Sequence, residues 1–174
     1  MNFTKDLSFG KQWEVTASQL VGGNVEFAPS GRFKPYDFVA DGVKYEVKAD
    51  RLAYKYGGNT MFVEFECSGQ PSGISTTEAD FWMYFMVAPD GSYKCFKYNV
   101  EELKQECVNC VVKKGGDGWR SRGYIVPVKT SAEVRPEQGL YIRLPPPPPL
   151  SPRDQKTQAN KTSPLSPLPA VLLG

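Results

Sequence analysis

Apolar and polar positions alternate in short runs along this chain, and the period of alternation changes several times. Over 9–21 the apolar residues Phe9, Trp13, Ala17 and Leu20 recur at spacings of four, four and three. That period predicts a helix with Glu14 off the apolar stripe, Ser8 as N-cap and Gly22-Gly23 as terminator. Residues 24–28 read as a short strand and Pro29-Ser30-Gly31-Arg32 as a turn. The segment 36–50 reads as two strands joined at Asp41-Gly42, a pair suited to the type I′ turn because that turn needs φ > 0 at both loop positions. A two-residue loop fixes the register: Ala40 faces Val43, Val39 faces Lys44, Phe38 faces Tyr45 and Asp37 faces Glu46. Asp37, Glu46 and Lys48 then share one face, and Phe38, Tyr45 and Val47 share the other.

Further along, Arg51 to Thr60 reads as a mildly basic loop. Over 61–67, where alternation is clean in the second half, Met61, Val63, Phe65 and Cys67 fall on one face of a strand next to the hairpin, with Glu64 and Glu66 on the other. A turn-rich loop over 68–73 leads to one helical turn within 74–79, started by Ser75 or Thr76. The almost wholly apolar run 80–87 has the pattern of a strand buried on both faces. A turn at Pro89-Asp90-Gly91, a strand over 92–98 and a helix from Val100 to Cys107 capped by Asn99 follow. Lys113 to Gly118 reads as a loop, and 123–128 as a last strand placed at a sheet edge by Pro127. The fold expected is an α/β domain over 1–144, with a mixed central sheet flanked by helices.

From Pro145 the periodicity stops. Nine of the chain's 15 prolines fall there among Ser, Thr, Gln and Lys, a composition that cannot bury enough apolar surface to offset ordering entropy. The expectation is a disordered proline-rich tail over 145–174, with weak PxxP-like signals for a Pro-recognising partner. The tail carries Arg153, Lys156 and Lys161 against Asp154, which leaves the rest of the chain formally neutral. Nucleic-acid binding then has to come from a local patch or a metal, not from a bulk positive field.

The chain contains no histidine, which excludes histidine triads, histidine general bases and zinc sites built on imidazole. No run approaches the roughly 20 apolar residues of a membrane span, and the N-terminus lacks a signal-peptide core. A soluble intracellular protein with reduced cysteines is expected. Cys107-Val108-Asn109-Cys110 has redox or zinc spacing, but Cys67 and Cys95 lie on core-facing strand positions, so incidental buried thiols are the preferred reading.

The hairpin carries the sharpest chemistry. Like charges directly opposite in a sheet sit about 5 Å apart at Cβ and destabilise it, so Asp37 and Glu46 point to a cation held between them. Both are hard oxygen ligands suited to Mg²⁺ or Mn²⁺, and the Val47 carbonyl offers another oxygen. Lys48, one pleat repeat beyond Glu46, is placed to orient a water or neutralise a phosphate. The competing explanation is an ordinary exposed strand with alternating charge. The loop around Gln70 to Thr77 is a second candidate, in which small residues, Ser72 among them, let backbone N–H groups approach a phosphate and Ser75, Thr76 or Thr77 can donate hydrogen bonds. Arg32, Arg51 and Lys55 flank the hairpin as candidate phosphate contacts.

The order helix, hairpin with Asp37…Glu46-Val47-Lys48, strand, Gly/Pro/Ser loop and apolar strand resembles the PD-(D/E)XK nuclease superfamily. It is most similar to the small Holliday-junction-resolvase-like and phage- or virus-type members, over roughly 8–128. Asp37 matches the motif's first aspartate, with Tyr36 where the name has proline, and Glu46 and Lys48 match its Glu-x-Lys. The resemblance implies a restriction-endonuclease-like core and Mg²⁺- or Mn²⁺-dependent hydrolysis of DNA, with branched DNA as substrate and a homodimer as the working unit. It also implies a helix glutamate near the metal, for which Glu14 is the match and Glu26 the fallback. The Gln-x-x-x-Tyr motif of the helicase-nuclease branch is not found after Lys48, and long basic clusters are missing. The alternative function is a catalytically inactive nuclease-like fold that binds nucleic acid or protein.

Overall fold

A computed structural model describes residues 3–29, 34–115 and 120–134, with the side chains of 3–8 outside the description. All of these residues fall within one unit, 1–142. The turn at Ser30-Gly31-Arg32 and the proline-rich tail lie outside the described residues.

The chain opens with helix α1 (Phe3–Val21), which begins earlier than its apolar stripe. Ser8 therefore lies inside the helix and is not its N-cap. At the other end Gly22, at φ 72°, donates its N–H to the Ser18 carbonyl and closes the helix. Strands β1 (Val25–Phe27), β2 (Phe38–Ala40), β3 (Val43–Asp50), β4 (Thr60–Cys67), β5 (Gln70–Pro71), β6 (Phe81–Val87), β7 (Tyr93–Asn99), β8 (Val111–Gly115), β9 (Ser121–Pro127) and β10 (Glu133–Val134) follow, with helix α2 (Val100–Cys107) after β7. Short 3-10 turns occur at Ala53–Tyr56, Gly73–Ser75 and Thr130–Ala132.

Two sheets form. The first has the order β1-β2-β3-β6-β7-β10 and is mixed: β3 and β6 run parallel and their neighbours antiparallel. This is the mixed sheet expected from the sequence. The second, β5-β4-β9-β8, is antiparallel and was not anticipated. It takes β4 away from the hairpin, so the partner of β3 is β6. The expected edge strand β9 lies between β4 and β8 instead. Its proline is tolerated because β8 stops pairing at Ile125, and Pro127 beyond that point faces only Thr60 of β4. Lys113 to Gly115, expected as loop, belong to β8.

α1 covers one face of the mixed sheet. Trp13 sets its ring 4.9 Å from Phe85 and 5.1 Å from Tyr93, above a layer that includes Phe38, Tyr45, Val47 and Met83. On the other face Trp82, Tyr84, Met86, Phe96 and Tyr98 meet Met61, Val63 and Val126 of the second sheet, together with Leu103 and Cys107 of α2. This double cover accounts for the unbroken apolar run of β6, in which Trp82 to Val87 are all buried. Tyr84 ties the sheets together, donating to Asp50 Oδ2 at 2.6 Å while accepting from the Phe62 N–H at 3.4 Å. Asn99 caps α2 as its side-chain type predicts, accepting from the N–H groups of Glu101 and Glu102 at 3.0 and 3.2 Å. Among the described residues no helix is long and apolar enough to cross a membrane.

Candidate functional site

The hairpin forms in the register its turn dictates. Asp41 and Gly42 take φ of 49° and 84°, and the pairs are Ala40 with Val43, Val39 with Lys44 and Phe38 with Tyr45. One step further the regular ladder stops. Asp37 donates its N–H to the Tyr45 carbonyl at 2.8 Å, while its carboxylate Oδ2 accepts the Val47 N–H at 2.7 Å. Asp37 and Glu46 are therefore not a cross-strand ladder pair, as the extended register had them. The Asp37 side chain occupies the acceptor position that one more residue of β2 would have filled. Tyr45 and Val47 thus turn their backbone groups toward β2, so the Val47 carbonyl lies on the edge that β2 leaves.

Glu46 and Lys48 project from the face of β3 that carries Trp82 and Tyr84 on β6. Glu46 is 7% exposed. Its Oε1 accepts from Lys48 Nζ at 2.5 Å, and its Oε2 lies 3.5 Å from the Thr77 hydroxyl. Burial pushes the Glu46 carboxyl above its ordinary value; Lys48 pulls it back, and Asp37 pushes it up further. Burial alone would lower Lys48, but the Glu46 and Asp37 carboxylates outweigh that and hold its ammonium above the usual lysine value.

A second cation completes the cluster. Lys34 Nζ lies 3.2 Å from Glu14 Oε1 and 3.5 Å from Asp37 Oδ1, and these carboxylates raise its pKa against the lowering effect of burial. Glu14 reaches the site in this way, from the part of α1 that turns off the apolar stripe. Glu26 is exposed on β1 and lines no part of the cleft.

Asp37, Glu46, Lys34 and Lys48 line a cleft of about 560 Å³. Its other wall is the loop Pro71–Gly73 and Thr76–Glu78. This loop leaves the second sheet and returns to β6, and it is fastened at both ends. Ser72 donates its N–H to the Phe65 carbonyl at 3.0 Å and its hydroxyl to Glu64 Oε1 at 2.6 Å. Thr77 and Glu78 donate to the Pro35 carbonyl, through a hydroxyl at 3.1 Å and an N–H at 2.8 Å.

Ser72 and Thr76 of the candidate phosphate-binding group line the cleft, whereas Ser75 is exposed and outside its lining. The helical turn starts at Gly73, two residues before the expected site. Arg51 and Lys55 also lie outside the lining: the Arg51 guanidinium stacks 3.9 Å from the Phe9 ring centroid, and Lys55 is exposed on the Ala53–Tyr56 turn. Arg32 is outside the described residues. Glu64 holds the loop through Ser72 and adds to the negative field that raises Lys48, whereas Glu66 pairs with Arg122 at 3.1 Å.

Sequence reasoning passed over Lys34. Its only local signal is its place before Pro35, which biases it to extended backbone three residues ahead of Asp37. The hard oxygens of Asp37, Glu46, Glu14 and the Val47 carbonyl suit Mg²⁺ or Mn²⁺ in kind. The ammonium groups at Glu46 and between Glu14 and Asp37 mark where this cluster stabilises positive charge. Among the described residues no three acidic or cysteine side chains stand close enough together to form a ready metal cluster. All four cysteines are free thiols, and burial pushes Cys95 and Cys107 up to about 12.

Compared with protein families and with curated proteins, the chain matches none.

Proposed function

We propose that this chain is a metal-dependent deoxyribonuclease with a restriction-endonuclease-like core, acting as an endonuclease on branched or structured DNA. The observation that carries the reading is the convergence of Asp37, Glu46 and Lys48 on one wall of a cleft whose opposite wall offers Ser72 and Thr76. The choice of DNA, and of branched DNA, is supported by the motif resemblance.

Asp37 and Glu46, with the Val47 carbonyl and Glu14, are the residues that would hold Mg²⁺ or Mn²⁺, and their carboxylates would have to close on the ion from positions too far apart to form a cluster without it. The chemistry that ion supplies when bound is Lewis acidity toward phosphate oxygens and toward water. Lys48 is the protein's own cation at the reacting centre. Paired with Glu46 Oε1 at 2.5 Å, its ammonium is held where it can orient the attacking water and neutralise charge developing on the phosphate. Asp37 is oriented by the Val47 N–H, and Glu46 by Lys48. The Thr76 hydroxyl supplies a neutral donor for phosphate oxygens across the cleft, while Ser72 gives its hydrogen to Glu64 and holds the loop.

The test is incubation of the full chain with plasmid and with a labelled four-way junction, in Mg²⁺, Mn²⁺ or EDTA. Metal-dependent cleavage is expected, falling by about 100-fold or more in Glu46→Ala and Lys48→Ala. Cleavage that survives both substitutions would remove these residues from the mechanism. No cleavage under any condition would leave the binding-module reading in its place.

A further inference from the structure

We infer that the outer face of the second sheet is a docking surface for an unpaired DNA strand, with the Phe62 ring as a base-stacking platform and Lys113 beside it for the phosphates. The inference goes beyond the cleavage reading, because it concerns binding outside the cleft and needs neither metal nor turnover.

Strand register puts Phe62 of β4, Ile125 of β9 and Val111 of β8 in one row, and Glu64, Gly123 and Lys113 in the next row of the same face. The opposite face belongs to the core, through Met61, Val63 and Val126. On the outer face the Phe62 ring lies over two glycines. A Cβ at Gly123 would stand 2.6 Å from the ring's Cζ, and one at Gly115 would stand 2.9 Å from it. Neither glycine has a positive φ, so the backbone does not call for glycine at either place. The ring does. Glycine weakens a strand interior and marks places where another group comes close to the backbone; here two strands accept that weakness so that one ring can lie low on the sheet. Phe62 is partly exposed, and among the described residues no other ring and no cation stacks on it.

The charge on the neighbouring hairpin has one sign. The described residues of β8 and β9, with Arg120 just ahead of β9, include Lys113, Lys114, Arg120 and Arg122 and no carboxylate. Arg122 is committed to Glu66 at 3.1 Å. Lys113, Lys114 and Arg120 are exposed and have no carboxylate partner among the described residues. Val111, 62% exposed, extends the apolar row to the last strand of the sheet. An aromatic ring with an open face, bordered by unpaired cations, complements a strand whose bases are unstacked and whose backbone is anionic; a duplex hides those base faces. The single carboxylate of the two rows, Glu64, is taken up by the Ser72 hydroxyl at 2.6 Å. Glu64 lies one pleat repeat, about 7 Å, from Phe62, and Ser72 lines the cleft, so the platform borders the cleft's loop wall.

The test is fluorescence anisotropy of the full chain in EDTA, with a labelled mixed-sequence DNA single strand and with its blunt duplex. Tighter binding of the single strand is expected. Phe62→Leu, which keeps an apolar cover over the glycines, should weaken single-strand binding by about tenfold, and Phe62→Tyr should retain it. Lys113→Gln, at an exposed position, should lower the slope of log K against log salt by about 0.7. Should Phe62→Leu melt early, Lys113→Gln and Val111→Ser decide the matter, since both positions are exposed. Equal single-strand affinity in the wild type and these variants overturns the inference, as does duplex binding as tight as that of the single strand. A wild-type dimer in sedimentation that Val111→Ser dissociates, with no single-strand binding, assigns the face to a second copy and also overturns it. Junction cleavage in Mg²⁺ is scored separately, so loss of the docking surface leaves the nuclease reading standing, and absence of cleavage leaves the docking surface standing.

Discussion

Replacing Gly73 with alanine tests whether the cleft's second wall is fixed by backbone geometry. Gly73 sits at φ 53°, and a Cβ built there would lie 2.3 Å from the Glu64 carbonyl oxygen and 3.1 Å from its carbon. Both are backbone atoms of β4 and cannot rotate away. Two costs follow. Holding alanine in the left-handed region costs about 1–2 kcal/mol, and forcing the loop off β4 adds about 1–3 kcal/mol, as other overpacking does. Gly69 separates them, because it has φ 79° with nothing within 4 Å of its would-be Cβ. Gly69→Ala should therefore lose only the first increment and Gly73→Ala both. At about 2–4 °C per kcal/mol for a chain of this size, the pair should differ in Tm by roughly 2–12 °C. Thermal unfolding by circular dichroism, checked by urea titration, gives the comparison. Because Ser72, Thr76 and Thr77 ride on the displaced segment, junction cleavage should fall in Gly73→Ala and hold in Gly69→Ala. Equal Tm values for the two variants would show that Gly73 is not pressed against Glu64.

Two further outcomes follow from the buried charges and from the capping of α2. Since burial holds the Glu46 carboxyl above its ordinary value, the folded chain grips this proton more tightly than the unfolded chain does. Its contribution favours folding at low pH and is lost as pH rises from the ordinary glutamate value through the raised one. Urea denaturation of the metal-free chain in EDTA should therefore show stability falling across a pH range above the normal glutamate value, a fall that Glu46→Gln removes; the same fall in both would contradict the assignment. Lys48 acts at the alkaline end, its contribution present below the ordinary lysine value and lost as pH climbs through its raised one. Asn99→Ala removes both side-chain bonds at the start of α2 and should lower stability by about 1 kcal/mol without changing cleavage, as measured by urea denaturation and the junction assay.

How far these features could be read from the sequence depended on how local their causes are. The hairpin register followed from two loop residues, and the Asn99 cap from one side chain within reach of two amides. The Lys48–Glu46 pair needed only strand alternation. By contrast, alternation in 61–67 tells which side chains share a face and nothing about which sheet receives the strand. The partner of β4 proved to be β9, some sixty residues away. Pro127 misled for a related reason, since a proline excludes a neighbour at one position only and β8 stops short of it. Asp37 was found as a residue and misplaced as a ladder partner, because a carboxylate can replace a backbone acceptor without any change of pattern. Lys34 sits in irregular chain, where no period exists to assign it a direction.

The two neighbours of β3 differ in how soon they can arrive. β2 is joined through a two-residue turn, and hairpins of that kind close in about 1–10 µs. β6 returns only after the chain has passed through β4, β5 and the loop that carries Thr77, and a parallel pairing must wait for that long closure. Asp37, Glu46 and Lys48 can therefore come into register early, while Trp82 and Thr77, which help enclose Glu46, come late. In a half-folded chain, or one still emerging from a ribosome, Glu46 is a solvated and ordinary acid. The electrostatic character of the site is acquired only when the last neighbour of β3 docks, so an incompletely folded chain carries the motif without its chemistry.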